Sequence, residues 1–181
     1  MTVEHSVPLL ANLEAIPYLD PQGMLPQQFE GKIGVYAIFA DDQALQYVGY
    51  SRDIYLSLKQ HLVRQPQLCY WLKVQTIERP NRTQLENIRS AWIQENGAPV
   101  PGNQTEQPKW EQAIDVKAAM TAEELAQHQD PQLDERSQLK ALKNAARRLE
   151  AEILEVLSQR GLQESLRFNP KLKETGFLDL K

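Results

Sequence analysis

The chain has 181 residues, 41% of them hydrophobic and 24% charged, which is ordinary for a globular protein of one or two small domains. No apolar run approaches the about 20 residues that cross a bilayer, and no lysine or arginine precedes Lys32, so the N-terminus does not resemble a signal peptide. The single cysteine, Cys69, excludes an internal disulfide and favours a reducing compartment. We therefore expect a cytoplasmic protein without a membrane partner.

The formal net charge of −4 excludes a protein that coats nucleic acid indiscriminately. Residues 31–103 hold eight bases against six acids and are the one net-basic segment, at +2. Residues 1–30 hold four acids and no base, and residues 104–181 hold twelve bases against fourteen acids. Affinity for phosphate in the central segment would therefore need a local basic patch.

Residues 1–30 contain four prolines and predict an extended or short-helical lead-in that packs on the core. Residues 33–40 form an apolar run rich in β-branched and aromatic side chains, which predicts a buried strand. A turn at 41–43 and a second run at 44–49 complete an antiparallel hairpin.

A helix is predicted from Ser51, its N-cap, to about Val63, with Ile54, Leu58 and Leu62 on the inward face. Pro66 interrupts the chain, and residues 69–77 predict a third strand.

Thr83 and Glu86 are spaced as a capping box and predict a second helix, which Gly97 ends. The pattern of residues 104–120 is ambiguous, although Trp110 and Ile114 could dock on the preceding domain. A short helix is predicted at 121–129.

The longest periodic stretch predicts a helix at about 133–160. Its apolar residues step by three and four, as in a heptad seam. The seam either packs on the chain's own core or offers a surface for a protein partner or self-association. Its members are Leu139, Leu142, Ala146, Leu149, Ile153 and Val156.

Three short motifs occur in a fixed order: Gly34-Val35-Tyr36, Tyr47-Val48-Gly49 and Pro101-Gly102-Asn103, with a predicted helix after the second. This ordered set resembles the signature of the GIY-YIG nuclease family. The resemblance implies an α/β fold with a small three-stranded antiparallel sheet flanked by helices. It covers residues 31–103, leaving 1–30 as lead-in and 104–181 as a C-terminal helical extension.

A closer resemblance is to the GIY-YIG-type domain that precedes the glutaredoxin part of plastid CGFS monothiol glutaredoxins, and to its stand-alone cyanobacterial relatives. Residues 104–181 and the lead-in fall outside it. The matching segments are Ile33–Ala37, Leu45–Gly49, Leu68-Cys69, Lys73-Val74 and Val100–Asn103.

The resemblance implies metal-dependent hydrolysis of a phosphodiester. The first-motif tyrosine would take a proton from water, a helix arginine would stabilise the phosphate charge, and a glutamate would hold Mg²⁺ or Mn²⁺ as a Lewis acid. Tyr36 and Tyr47 match the motif tyrosines, and His61 matches a histidine or tyrosine position. The arginine position holds Ser57 and the glutamate position holds Ala91.

The remaining candidates are substitutes for those losses. Arg52 precedes the first helix and could point towards Tyr36, which adds it to the catalytic candidates Tyr36, Tyr47 and His61. Glu95 lies one turn after Ala91 and is the metal candidate. For nucleic-acid binding the candidates are Arg64, Arg82, Arg89 and Asn103.

Each candidate also has a plain structural interpretation. Tyr36 and Tyr47 could be core tyrosines, and His61 a surface residue. Cys69 is interpreted as a buried small hydrophobe, with a redox-responsive thiol as the alternative. The arginines could form a solvated basic edge.

Two hypotheses follow. The first is a nucleic-acid-acting, metal-dependent endonuclease with a degenerate active site, in which both phenols line a shallow cleft. The second is a catalytically inactive domain that serves as a protein-interaction module through its C-terminal helix. The mild charge and the missing arginine favour the second, and the two tyrosines and Asn103 favour the first.

Overall fold

The computed structural model describes residues 6–181, so the first five residues of the predicted lead-in lie outside it. The chain divides into two compact units, the first ending at Glu111 and the second spanning Gln112–Lys181.

The first unit holds a four-stranded antiparallel sheet and three α-helices, with a 3-10 turn at Leu10–Asn12. The strand order is β1-β4-β2-β3, with β2 paired on both sides. The elements are β1 (Ile16–Pro17), β2 (Ile33–Phe39), β3 (Leu45–Ser51), α1 (Ile54–Arg64), β4 (Trp71–Ile77), α2 (Arg82–Glu95) and α3 (Gln107–Glu111).

The predicted class, an antiparallel sheet flanked by helices, is confirmed. The predicted strand count was one too low, because the lead-in contributes β1, which pairs Ile16 with Leu72 of β4. A strand of two residues is too short to leave a periodic signal in the sequence.

Side chains alternate between the two faces of the sheet, and the faces have different covers. Val35, Ala37 and Val48 share one face and form a core with α2 through Ile88 and Trp92. Tyr36 lies opposite Gly49 and Ile38 lies opposite Tyr47, so both motif tyrosines belong to the other face.

The two helix starts in the first unit differ from prediction. Asp53 caps α1 by accepting from Leu56 N at 3.2 Å, and Ser51 remains the last residue of β3. Asn81 caps α2 by accepting from Gln84 N at 3.0 Å, whereas Thr83 already lies inside the helix. In both places two residues of types that favour the N-cap lie close together in the sequence. The sequence alone does not determine which of the two keeps the extended backbone of an N-cap.

The second unit is mainly helical. The α4–α5 pair is its centre, and a two-stranded sheet pairs Ile114 with Leu178. Ile114 therefore belongs to this unit rather than docking on the sheet domain. Its elements are β5 (Ile114–Asp115), α4 (Ala122–Gln129), α5 (Glu135–Gln159), α6 (Pro170–Glu174) and β6 (Phe177–Leu178).

Local interactions fix both long elements of this unit. Thr121 and Glu124 form a reciprocal capping box at the start of α4, and Asp134 caps α5. Arg148 of α5 reaches α4, where its Nη2 lies 2.7 Å from Glu124 Oε1, and it donates to the Ala119 carbonyl.

Of the six predicted seam residues, two are buried, three are half-buried and one is exposed. Leu142 and Ala146 are buried, and Leu149 is half-buried. Leu139 remains exposed at 41%. Among the described helices, none combines the length and the apolar character needed for a bilayer span.

Candidate functional site

Tyr36 of β2, Tyr47 of β3 and His61 of α1 converge in one cluster. The phenol rings are 6.3 Å apart between centroids, and the His61 ring lies 5.5 Å from Tyr36 and 4.8 Å from Tyr47. The Tyr36 hydroxyl lies 2.9 Å from His61 Nε2. The strand register brings the tyrosines together diagonally, and the α1 turn that carries His61 packs on them.

The cluster is closed rather than open. Tyr36 is 2% exposed, Tyr47 5% and His61 4%. The expected shallow cleft is filled by Trp110 of α3, which is 1% exposed and stacks on Tyr47 with ring centroids 5.2 Å apart. Its ring also lies 5.7 Å from that of His61. A large aromatic side chain thus occupies the space where a phosphate would need to enter.

Two further contacts hold α3 in this position. Arg64 donates from Nη1 to the Trp110 carbonyl at 2.8 Å, and the Tyr47 hydroxyl donates to Glu111 Oε1 at 3.0 Å. Gln107 donates to the other oxygen of Glu111 at 2.8 Å. Sequence reasoning named Trp110 as a docking residue but missed Glu111. This five-residue helix has no periodic apolar pattern. The only sequence signal for Glu111 would have been an acidic residue directly after an isolated tryptophan.

Close packing around the cluster requires two glycines. A Cβ on Gly49 would lie 2.6 Å from the Tyr47 ring and 3.0 Å from the Tyr36 hydroxyl. A Cβ on Gly102 would lie 2.5 Å from the Gln46 carbonyl oxygen and 2.8 Å from the Trp110 ring. The second and third motif glycines therefore serve close approach here.

Protonation in the cluster is shifted towards neutral forms. Burial raises the pKa of the Tyr36 phenol above its ordinary value, and the nearby Ser57 hydroxyl offsets part of that rise. Burial, then the charges of Tyr36 and Glu111, raise the pKa of Tyr47. Burial, reinforced by the positive charge of Arg64, lowers the pKa of His61 to about 3. At pH 7 the cluster holds two phenols and a neutral imidazole.

The position that the resemblance assigns to an arginine does face Tyr36, but it is filled by a hydroxyl. The Ser57 side chain carries no positive charge, and its Oγ donates to Ser51 Oγ at 2.8 Å. Ala91, at the glutamate position, lies in α2, which packs on the opposite face of the sheet. Neither charged group has a counterpart at the aligned position.

The substitutes named from the sequence lie away from the cluster. Arg52 is exposed between β3 and α1. Glu95 accepts from Leu10 N at 2.7 Å and from Ala11 N at 2.9 Å, and so secures the lead-in.

Within residues 6–181, no three His, Cys, Asp or Glu side chains come together in a way that could hold a metal. Glu111 is a single carboxylate that already accepts two hydrogen bonds. A metal ion held by one carboxylate and water needs no such cluster, so the Mg²⁺ or Mn²⁺ that the resemblance implies stays a prediction, and we derive no step through a metal.

The four nucleic-acid candidates all have partners within the first unit. Arg82 donates from Nε to Glu86 at 2.8 Å, and the Arg89 guanidinium lies 5.3 Å from the Tyr50 ring centroid. Arg64 is bound to α3, as described above. Asn103 accepts from Val48 N at 2.8 Å and donates to Val48 O at 2.7 Å, which satisfies the open edge of β3. The motif asparagine has a structural role here.

Cys69 precedes β4 and is fully buried. Its Sγ lies 3.6 Å from the His61 carbonyl oxygen, beneath the same turn of α1 that carries the histidine. Its location agrees with a small buried hydrophobe.

Comparison with known proteins supports a relationship to one plastid protein. No protein-family model matches the chain. Over 76 residues, 40% of its length, the chain is 38% identical to the bifunctional monothiol glutaredoxin-S16 of Arabidopsis thaliana chloroplasts. The match spans 26% of that protein, so about three quarters of the relative has no counterpart in the match. The chain is therefore similar to a part of a bifunctional plastid glutaredoxin.

Proposed function

We propose that this chain is a GIY-YIG-type protein that binds nucleic acid, and that its phosphodiester-cleaving centre is degenerate. The observation that carries the proposal is the convergence of Tyr36, Tyr47 and His61 in one cluster beneath Trp110. These three side chains meet as the resemblance implies, although Trp110 fills the cleft in which they were expected to lie. The similarity to a part of a bifunctional plastid protein supports the same assignment.

Three features argue against efficient hydrolysis. First, the phenol that would act as base has a raised pKa, and Ser57 stands at the arginine position. Second, Ala91 supplies no carboxylate, and Glu95 is bound to backbone amides elsewhere. Third, Trp110 fills the entrance. The positive charge of Arg64 reaches the cluster, but its Nη1 is engaged by the Trp110 carbonyl.

The test combines binding with cleavage. A fluorescent duplex titrated with the full chain at low ionic strength should bind in a salt-dependent manner. Supercoiled plasmid incubated with Mg²⁺ or Mn²⁺ should show no nicking above the level of a Tyr36→Phe control. Nicking that Tyr36→Phe abolishes would mean that the centre is an active endonuclease. Absence of salt-sensitive binding would overturn the nucleic-acid function.

A second candidate is the protein-interaction module, and one observation favours it. Leu139 and Leu154 of α5 are exposed at 41% and 38%. Leu139 belongs to the predicted seam and Leu154 lies beside it, and three further seam residues are only half-buried, so α5 retains some apolar surface for a partner. The same titration separates the candidates, since a module of this kind would not bind the duplex.

A further inference from the structure

The strongest unassigned feature lies on α5, outside every motif discussed above. Residues 136–147 contain Arg136, Lys140, Lys143 and Arg147 and no acid. This run occurs in a chain whose net charge is −4 and in a segment, 104–181, that is itself net acidic. A block of like charge that survives in an acidic environment needs an explanation beyond solubility.

The helix places the four cations on one face. Their steps of four, three and four residues keep them within about 60° of one another at 100° per residue. With a rise of 1.5 Å per residue they form a straight row of about 16 Å. We call this row, Arg136 to Arg147, the basic stripe.

The stripe is largely free of internal neutralisation. Among residues 6–181, Arg136, Lys140 and Arg147 have no carboxylate partner, and all three are exposed. Lys143 lies 3.5 Å from Glu174 of α6, and both side chains of that pair are well exposed, so it holds the charge weakly.

A groove of about 570 Å³ runs beside the stripe. The four cations line it together with Ser137, Asn144 and the exposed apolar side chain of Leu139. The adjacent Arg148, by contrast, is tied to Glu124 and Glu152 on another face of the helix. Arg148 is thus neutralised by carboxylates, whereas the cations of the basic stripe remain available to a ligand.

We propose that the basic stripe is the docking surface for the sugar-phosphate backbone of nucleic acid. A duplex carries one phosphate charge per about 1.7 Å of axis when both strands are counted, so a row of cations about 16 Å long faces a dense polyanion. The regular rise of the cations fits a regular polyanion better than an acidic peptide, whose carboxylates lie on flexible side chains. The groove offers few groups for base edges, so binding is independent of sequence.

This inference rests on the proposed function and locates a binding surface for it on α5. The test uses the full chain, a fluorescein-labelled 20-base-pair duplex of arbitrary sequence, and anisotropy titrations between 25 and 200 mM salt. One variant carries Arg136→Gln, Lys140→Gln, Lys143→Gln and Arg147→Gln. Glutamine has a helix propensity similar to that of arginine and lysine, so α5 should persist, as circular dichroism will verify.

The matched control removes the same charge from exposed lysines outside the stripe, as Lys32→Gln, Lys109→Gln, Lys117→Gln and Lys181→Gln. We expect the wild type to show a log–log salt slope of about −3 to −4, since each neutralised phosphate contributes about −0.9. The stripe variant should bind more than tenfold more weakly at 50 mM salt, with a slope near zero. The control should retain at least half of the wild-type affinity.

Three results would overturn the assignment. Wild-type-like binding by the stripe variant would leave the nucleic-acid function intact and move its surface elsewhere. An equal loss in the control would reduce the stripe to general charge. Tighter binding of an oligoglutamate peptide than of the duplex would identify an acidic protein partner instead. Failure of the wild type to bind the duplex at all would overturn the proposed function itself.

Discussion

His61 is a histidine held among three aromatic rings, and this enclosure gives it a measurable signature. Burial and the charge of Arg64 keep it neutral, with a pKa of about 3. The folded state therefore binds fewer protons at this site than the unfolded chain, whose histidine titrates near 6.5. Stability that is present above pH 6.5 is lost as the pH falls towards 3.

We predict that the free energy of unfolding of the first unit falls by about 1 kcal/mol between pH 7 and pH 5.5. Tryptophan fluorescence isolates this unit, because Trp71, Trp92 and Trp110 all precede residue 112. In His61→Gln the loss should disappear, whereas His128→Gln in the second unit should keep it. A wild type whose unfolding midpoint is constant over this range would contradict the assigned burial.

At the scale of single residues, the sequence indicated which side chains would meet but not what would cover them. The hairpin register sets Tyr36 beside Tyr47 because the pairing shifts by one residue at an irregularity between Ile38 and Phe39, which strand alternation alone does not predict. Trp110, which covers the cluster, lies eight residues after Gly102 in the sequence. The path of the intervening loop depends on tertiary packing. Glu95 lies one helical turn after Ala91 and was therefore a candidate substitute. Its carboxylate instead accepts a hydrogen bond from the backbone of the lead-in.

Among the elements, α3 is the one on which the closed state depends. It has five residues, too few to be stable alone, so its position derives from packing on Tyr47 and Gly102. For α3 to pack in this position, the backbone at Gly102 must lie close to both the Gln46 carbonyl and the Trp110 ring. A methyl group there has no space.

We predict that Gly102→Ala destabilises the first unit by about 1–3 kcal/mol, the usual cost of forcing an extra methyl group into a packed site. The indole should be displaced, so acrylamide quenching of tryptophan emission should increase. Thr105→Ala, at an exposed position in the same loop, serves as the control. Unchanged quenching in Gly102→Ala would mean that α3 is not held by this contact.

The strong elements were predictable and their ends were not. The β2–β3 hairpin and α1 carry clear apolar patterns, and the long helix has a seam of six apolar residues. The capping positions failed where Asp53 competes with Ser51 and Asn81 with Thr83, because residue type alone does not fix which residue leaves the strand or loop. β1 could not be foreseen, since its pairing is set by the tertiary fold.

At the scale of the whole molecule, the position of the boundary between the two units determines which residues an isolated first domain must include. The family resemblance ends at Asn103, whereas the first compact unit ends at Glu111. The eight residues between these limits carry Trp110 and Glu111, both of which contact Tyr47.

We predict that residues 1–111, expressed alone, unfold cooperatively in urea, and that residues 1–103 are less stable by about 3–5 kcal/mol. That range is the cost of deleting a large buried aromatic side chain. The two fragments should be compared by their urea midpoints and by near-ultraviolet circular dichroism. Equal midpoints would place the boundary at the motif asparagine instead.

The location of Cys69 has a practical consequence. The chain's single sulfhydryl is sealed between the last turn of α1 and the start of β4, so a disulfide-exchange dye can reach it only when those two elements separate. The rate of dye incorporation in the native protein therefore measures how often these two elements separate beside the aromatic cluster. Any molecule that changes this rate reports an effect on the packing around the cluster, without an assay of turnover.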